Sequence, residues 1–141
     1  MDAALPPASE LLAAMVDEMV ALYGVGPPPA TPADFGPPHG RFLVGLAGDE
    51  PVCCGGLRGL GDGAAEIKRM YVVPAARRRG VARALLGALE DAARTLGHGI
   101  VRLDTGARQP HAQGLYESTG YVAVPDYNDN PVAAFWGEKR L

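Results

Sequence analysis

The stretch Glu66-Ile67-Lys68-Arg69-Met70-Tyr71-Val72-Val73-Pro74-Ala75-Ala76-Arg77-Arg78-Arg79-Gly80-Val81-Ala82 decides the fold. It reads as a strand, a proline-marked turn, and a helix entered through Gly80. Downstream, Val81, Leu85, Ala88, Leu89, Ala92 and Leu96 mark one side of a helix of about four turns, which Gly97 ends. The first turn of such a helix has backbone N–H groups without internal partners, and the aligned peptide dipoles add partial positive charge there. Gly80 and Ala82 carry almost no side chain, so a bulky anion can approach the backbone, with Arg77, Arg78, Arg79 and Arg83 as nearby cationic donors. Taken alone, the arginine run is as readily a solvated charged surface. Its place tips the balance, because each basic side chain at a helix N-terminus costs about 0.3 to 1 kcal/mol unless an anion sits among them. A nucleoside-triphosphate loop would need a lysine and then serine or threonine after its last glycine, and Gly80-Val81-Ala82 supplies neither.

Working outward toward the N-terminus, Ala65 to Val73 is the strand itself. Gly59-Leu60-Gly61-Asp62-Gly63 resembles a dinucleotide fingerprint only superficially, since a strand follows it and no helix, so it is read as a hairpin turn. Arg41 to Ala47 and Val52 to Leu57 are two further β-prone runs, separated by the turn residues Gly48-Asp49-Glu50-Pro51. Pro27, Pro28, Pro29, Pro32, Pro37 and Pro38 predict an extended surface loop free of regular hydrogen-bonded structure. Before it, Leu12, Met15, Val16, Met19, Val20 and Tyr23 recur at helical spacing and predict a helix over residues 8 to 23.

Toward the C-terminus, Ile100 to Leu103 predicts a strand, Pro110 to Ser118 a short helix, and Tyr121 to Val124 and Val132 to Arg140 two strands. The order is that of an α/β sandwich of the α+β kind. At 141 residues the chain has room for one core, so 1–141 is read as a single domain, with a helix and proline-rich loop over 1–40 and the core over 41–141. Apolar residues at 48% and charged residues at 21% fit a soluble globular protein. A net charge of −3 argues against nucleic acid and anionic membrane as partners. The start lacks a secretory pattern, and no window approaches the roughly 20 apolar residues of a membrane span, which points to the cytoplasm. Cys53 and Cys54 are read as strand residues, and the scattered His39, His98 and His111 offer no metal-ligand pair, so no metal is expected. Phe135 and Trp136 on the last strand belong either to the core or to a homodimer contact.

Arg77-x-x-Gly80-x-Ala82, following a strand and a proline, resembles the (Gln/Arg)-x-x-Gly-x-(Gly/Ala) motif of the GCN5-related N-acetyltransferase (GNAT) superfamily. Gln109-x-x-Ala112-x-x-Leu115-Tyr116-x-x-x-Gly120-Tyr121 resembles the superfamily's downstream helix-and-strand motif. Together, in this order and about 30 residues apart, they are far more specific than either alone. The resemblance covers about residues 41 to 141. It implies a mixed, mostly antiparallel twisted sheet with helices on both faces, whose strand Glu66–Val73 splays from the strand Ile100–Asp104. Met1 to Ser9 is too short and proline-interrupted to match the family's first strand, and the departure bears most on the acceptor site.

The resemblance further implies acetyl-coenzyme A as cosubstrate and an amine acceptor, small molecule or peptide, attacking directly in a ternary complex. Pantetheine would lie along Met70 and Val72, and the pyrophosphate over the segment Arg77, Arg78, Arg79, Gly80, Val81, Ala82 and Arg83. Gln109 stands where the family often has asparagine near the cofactor. Tyr116 matches the tyrosine that protonates the departing thiolate, and Glu66 the glutamate that some members use as base, through water. The plain alternatives are a surface glutamate and a packed core tyrosine. Asp126, Asn128 and Asp129 are read as a polar turn that has some capacity to attract a cationic amine. Transfer of another acyl group, and a coenzyme A-binding module without turnover, are the competing functions.

Overall fold

The computed structural model describes residues 1–28 and 30–141, so Pro29 lies outside the described residues. Two tight turns build the first half of the sheet. Strand β1 (Arg41–Ala47) turns through Gly48 and Asp49 into β2 (Glu50–Gly61), and β2 turns through Asp62 and Gly63 into β3 (Ala64–Val72). Asp62 and Gly63 have φ of 56° and 74°, the left-handed pair that a two-residue hairpin turn requires. The first turn is shorter than the expected Gly48–Pro51, because Glu50 already pairs with Ala47 and Pro51 with Leu46, beside a register shift at Gly45/Leu46. β2 also outruns its expected end at Leu57. Pairing with β3 as far as Gly61↔Ala64 overrides the poor strand propensity of its glycines.

Helix α1 (Ala8–Tyr23) precedes β1 and ends at Gly24, whose φ is 75°. Among the described residues no strand precedes α1. The proline-rich segment corrects the sequence expectation in one respect, since Pro32–Phe35 forms a 3-10 turn. Proline is tolerated at the first helical position, where an N–H would be unpaired anyway, and Thr31 and Asp34 close a reciprocal capping box around it. After β3 come α2 (Val81–Thr95), β4 (Ile100–Gly106), α3 (Pro110–Ser118), the two-residue β5 (Val122–Ala123) and β6 (Ala133–Arg140). No described helix is long and apolar enough to cross a membrane.

Among the described residues the sheet order is β1-β2-β3-β4-β6-β5, with only β3 and β4 parallel. Alternation along the strands gives the sheet two apolar faces. On one, Leu57, Ile67, Val101, Leu103 and Phe135 cluster with Leu85, Leu86 and Leu89 of α2 and with Tyr116 and Tyr121. On the other, Phe42, Cys54 and Tyr71 cluster with Leu11 and Met15 of α1 and with Phe35. Each fully buried leucine contributes about 1.5 to 3 kcal/mol. Cys53 and Cys54 fall on opposite faces, and Phe135 lies in the core on the α2 side.

A buried acid interrupts the core on the α2 side. Glu90 on α2 is 6% exposed and accepts bonds from the Tyr121 hydroxyl at 2.8 Å and from Lys139 Nζ at 3.1 Å. Lys139→Met removes the counter-charge and leaves the carboxylate buried, which is expected to cost about 3 kcal/mol. Chemical denaturation should show a lower midpoint with an unchanged m-value.

Candidate active site

β3 and β4 pair only over Ala64↔Ile100, Ala65↔Val101 and Glu66↔Arg102. Beyond that point β3 stays with β2 and β4 with β6, so the two strands part in the middle of the sheet. β3 carries an extra residue at the parting, because Gly56 pairs with Lys68 while Cys54 pairs with Tyr71. Arg69 takes the bulge with φ 61°. Past the bulge, Val73 donates its N–H to Val52 at 2.9 Å, so the alternation of an antiparallel ladder turns Val72, and Met70 before Tyr71, toward the open side. The Val72 carbonyl accepts a bond from Arg77 Nε at 2.9 Å, which leaves its N–H as the group facing the gap.

The N-terminus of α2 lies next along the chain. Gly80 enters the helix with φ 77°, a conformation that favours glycine. No described side chain caps the helix, and no acidic residue stands in its first turn. The first helical bond runs from Ala84 N–H to the Gly80 carbonyl at 3.1 Å, so the amides of Val81, Ala82 and Arg83 have no intrahelical acceptor. Arg78 and Arg79 are exposed, and Arg83 reaches the Ser118 hydroxyl at 3.1 Å. Arg77 turns the other way, its Nη2 donating to both carboxylate oxygens of Glu18 on α1 at 2.7 and 2.9 Å, above the Tyr71 ring.

α1 is also tied to the β4 side. The Tyr23 hydroxyl donates to Gln109 Oε1 at 3.1 Å and accepts from the Arg108 N–H at 3.2 Å, while Arg108 Nη1 reaches the Leu22 carbonyl at 2.9 Å. Gly106 makes this possible, since a Cβ there would lie 2.0 Å from the Tyr23 oxygen. Thus α1 bridges the parting, through Glu18 on one bank and Leu22 and Tyr23 on the other. Tyr116 of α3 is 6% exposed, and its hydroxyl lies 3.7 Å from Met70 Sδ on β3. Burial, aided by the negative charge of Asp104, pushes its pKa up, so it remains a protonated donor at neutral pH.

On the α1 face an acidic network sits at the apex of the parting. Glu66 is 1% exposed. Its Oε1 accepts from Arg58 Nε at 2.8 Å and Nη2 at 2.7 Å, and its Oε2 from the Tyr127 hydroxyl at 2.7 Å and Asn128 Nδ2 at 3.1 Å. Asn128 Nδ2 also donates to Asp104 Oδ2 at 2.5 Å, Asn130 Nδ2 to the same oxygen at 3.3 Å, and Trp136 Nε1 to Asn128 Oδ1 at 2.9 Å. Burial and Glu66 together push the Tyr127 pKa up, which keeps that phenol a donor. Within the turn, Asp126 accepts the amides of Asn128 and Asp129, and both acids remain exposed. Only Asn128 of the three turn residues singled out in the sequence points its side chain inward.

The structure therefore brings Met70, Val72 and Tyr116 to one gap, sets Gly80 to Arg83 at its end, and holds Gln109 at the α1 contact. Sequence reasoning did not single out Asp104, Tyr127, Asn130 or Arg69. The Asn/Asp-rich turn was the available signal, but its folding over the central strands β3 and β4 is a long-range event that no local pattern encodes.

A mixed sheet parted between two parallel strands, with an uncapped helix N-terminus at one end of the gap and a buried phenol beside it, is the arrangement expected of the acyl-coenzyme A-dependent transferases that the sequence motifs resemble. The Acetyltransferase (GNAT) family profile matches residues 8–121. An IAA acetyltransferase of Azospirillum brasilense is 35% identical over 108 residues, which span 74% of this chain and 70% of that protein. A Klebsiella pneumoniae structure assigned as an acyl-CoA N-acyltransferase superposes with a TM-score of 0.80 at 27% identity, covering 100% of this chain and 94% of that one. PaiA N-acetyltransferase of Thermoplasma acidophilum, solved in complex with coenzyme A, shares the fold with a TM-score of 0.61 at 20% identity, over 71% of this chain and 60% of that one. The chain belongs to the acetyltransferase (GNAT) family and is an acyl-CoA-dependent N-acetyltransferase.

Proposed function

We propose that the enzyme transfers the acetyl group of acetyl-coenzyme A to a primary amine, by direct attack within a ternary complex. The observation that carries this reading is the parting of β3 from β4 with Tyr116 beside it, because it offers strand-edge backbone, a free amide and a proton donor at one place. Pantetheine adds to the edge at Met70 and Val72 as an extra strand would. The pyrophosphate lies over the amides of Val81, Ala82 and Arg83, with Arg78 and Arg79 as cationic flanks and Arg77 holding the loop to α1. Gln109 supports the cofactor through the α1 contact.

The Val72 N–H polarises the thioester carbonyl. The acceptor amine, with a pKa near the lysine value of about 10.4, must lose a proton before it attacks. Glu66 draws it through water, one of its four donors giving way, and the C–N bond forms. As the C–S bond breaks, Tyr116 protonates a thiolate whose intrinsic pKa is about 8.5. An acyl-cysteine route finds no support in the chain's chemistry: burial pushes the Cys54 thiol up to about 12 and raises Cys53 as well.

Acetyl-coenzyme A at a hundred times its Kd is expected to stabilise the fold by about 2.7 kcal/mol and to raise the melting temperature accordingly. Thermal scans with and without the cofactor check this. An unchanged transition at millimolar cofactor, with no heat of binding, contradicts the reading.

A further inference from the structure

The bulge in β3 has a consequence for charge. Glu66 and Tyr71 both lie on the α1 face although they stand five positions apart, an odd spacing that only an extra residue permits. Lys68 and Arg69 consequently both turn toward that face. Arg69 is partly buried there, and the one hydrogen bond of its side chain among the described residues goes to the Pro28 carbonyl. No described carboxylate lies within the 4.0 Å of an ion pair. Arg58 is committed to Glu66. The Arg69 guanidinium is half-buried, has no ion-pair partner among the described residues and keeps its unbonded N–H donors at the solvent side, where a carboxylate can take them up without displacing a protein partner.

Asp104 is its counterpart on β4. Its acceptor bonds come from the neutral amides of Asn128 and Asn130, and no described cation comes within ion-pair distance. Asp104 and Arg69 feel each other's charge, and Asp104 is also felt at the Tyr116 hydroxyl. Both residues come just after the last paired positions, Glu66 and Arg102, so they occupy opposite banks of the parting. Glu66 is neutralised by Arg58 with Lys68 at 3.9 Å, and Arg102 by Glu138 at 2.9 Å, so these do not answer the two open charges.

Resting on the acetyl-transfer reading above, we propose that the acceptor is a small amino acid-like zwitterion, its ammonium held by Asp104 and its carboxylate by Arg69. A carboxylate matches the planar fork of a guanidinium bidentately. The ammonium end then lies on the Tyr116 side, where the acyl group arrives. A peptide N-terminus or a polyamine would leave Arg69 unanswered.

The test compares amino acids with their carboxamides as acceptors, reading thiol release from acetyl-coenzyme A in the wild type, Arg69→Met and Arg69→Lys. The wild type should prefer the free acid by about 10- to 100-fold in kcat/KM, the value of a charged hydrogen-bonded contact. Arg69→Met should raise KM for the acid by that factor, leave the carboxamide and kcat nearly unchanged, and retain acetyl-coenzyme A binding. Arg69→Lys should recover part of the preference. Equal use of acid and carboxamide by the wild type, or an equal loss on both in Arg69→Met, overturns the proposal. Acetyl-coenzyme A binding with neither series acetylated overturns it too while the cofactor site stands, whereas absence of that binding overturns the acetyl-transfer reading itself.

Discussion

Tyr116→Phe is expected to lower kcat by about 10²- to 10⁴-fold while leaving acetyl-coenzyme A affinity almost unchanged. The ring and its packing against Tyr121 persist in the variant. What is lost is one hydroxyl, and its partner in the protein is the thioether of Met70 at 3.7 Å, a weak acceptor. A structural hydroxyl would have a strong acceptor, and removing it would cost about 1 kcal/mol or more of stability. Here the stability change should be well below that, so rate and stability separate cleanly. Steady-state kinetics with thermal denaturation of the same preparation decide the matter. Unchanged turnover in the folded variant would leave thiolate departure to water or another group.

Gly80→Asp is expected to weaken coenzyme A binding by about 10- to 1,000-fold, because a carboxylate near a pyrophosphate repels it by roughly 1 to 4 kcal/mol at 4 Å. The proper control is Gly80→Asn. Both replacements meet the same φ of 77°, where a side chain is strained, and a Cβ at Gly80 has no atom within 4 Å to collide with. They differ only in charge. Calorimetric titration should show the large loss in Gly80→Asp and a small one in Gly80→Asn. Equal losses would mean that backbone geometry, and not an anion, is what the position serves.

The secondary structure was legible where one local rule spoke alone. The heptad-like spacing from Val81 to Leu96, with Gly97 behind it, yields α2 with its ends, and Asp62-Gly63 yields a hairpin because few residue pairs accept two left-handed conformations. Legibility faded where pairing or capping overrode composition. β2 runs through glycines because β3 lies beside it, and Pro32 enters a 3-10 turn because Thr31 and Asp34 cap it. The gap between β3 and β4 came from a family resemblance and not from any local pattern. Side-chain direction was the least legible layer. Arg77 belongs to an arginine run yet turns to Glu18, 59 residues away in the chain. Glu66 looks like a surface strand residue, and only Arg58, Tyr127 and Asn128 together make it a satisfied interior charge. The bulge that aims Arg69 is one inserted residue, and sequence alternation alone gives no warning of it.

Direct transfer in a ternary complex makes the most exposed claim, and rapid-mixing measurement of free thiol tests it. Enzyme mixed with acetyl-coenzyme A alone should release no burst of thiol, and adding an accepted amine should start release at once, with one acetylated amine formed per thiol. A thiol burst equal to the enzyme concentration before any amine is present would reveal an acyl-enzyme and contradict the account.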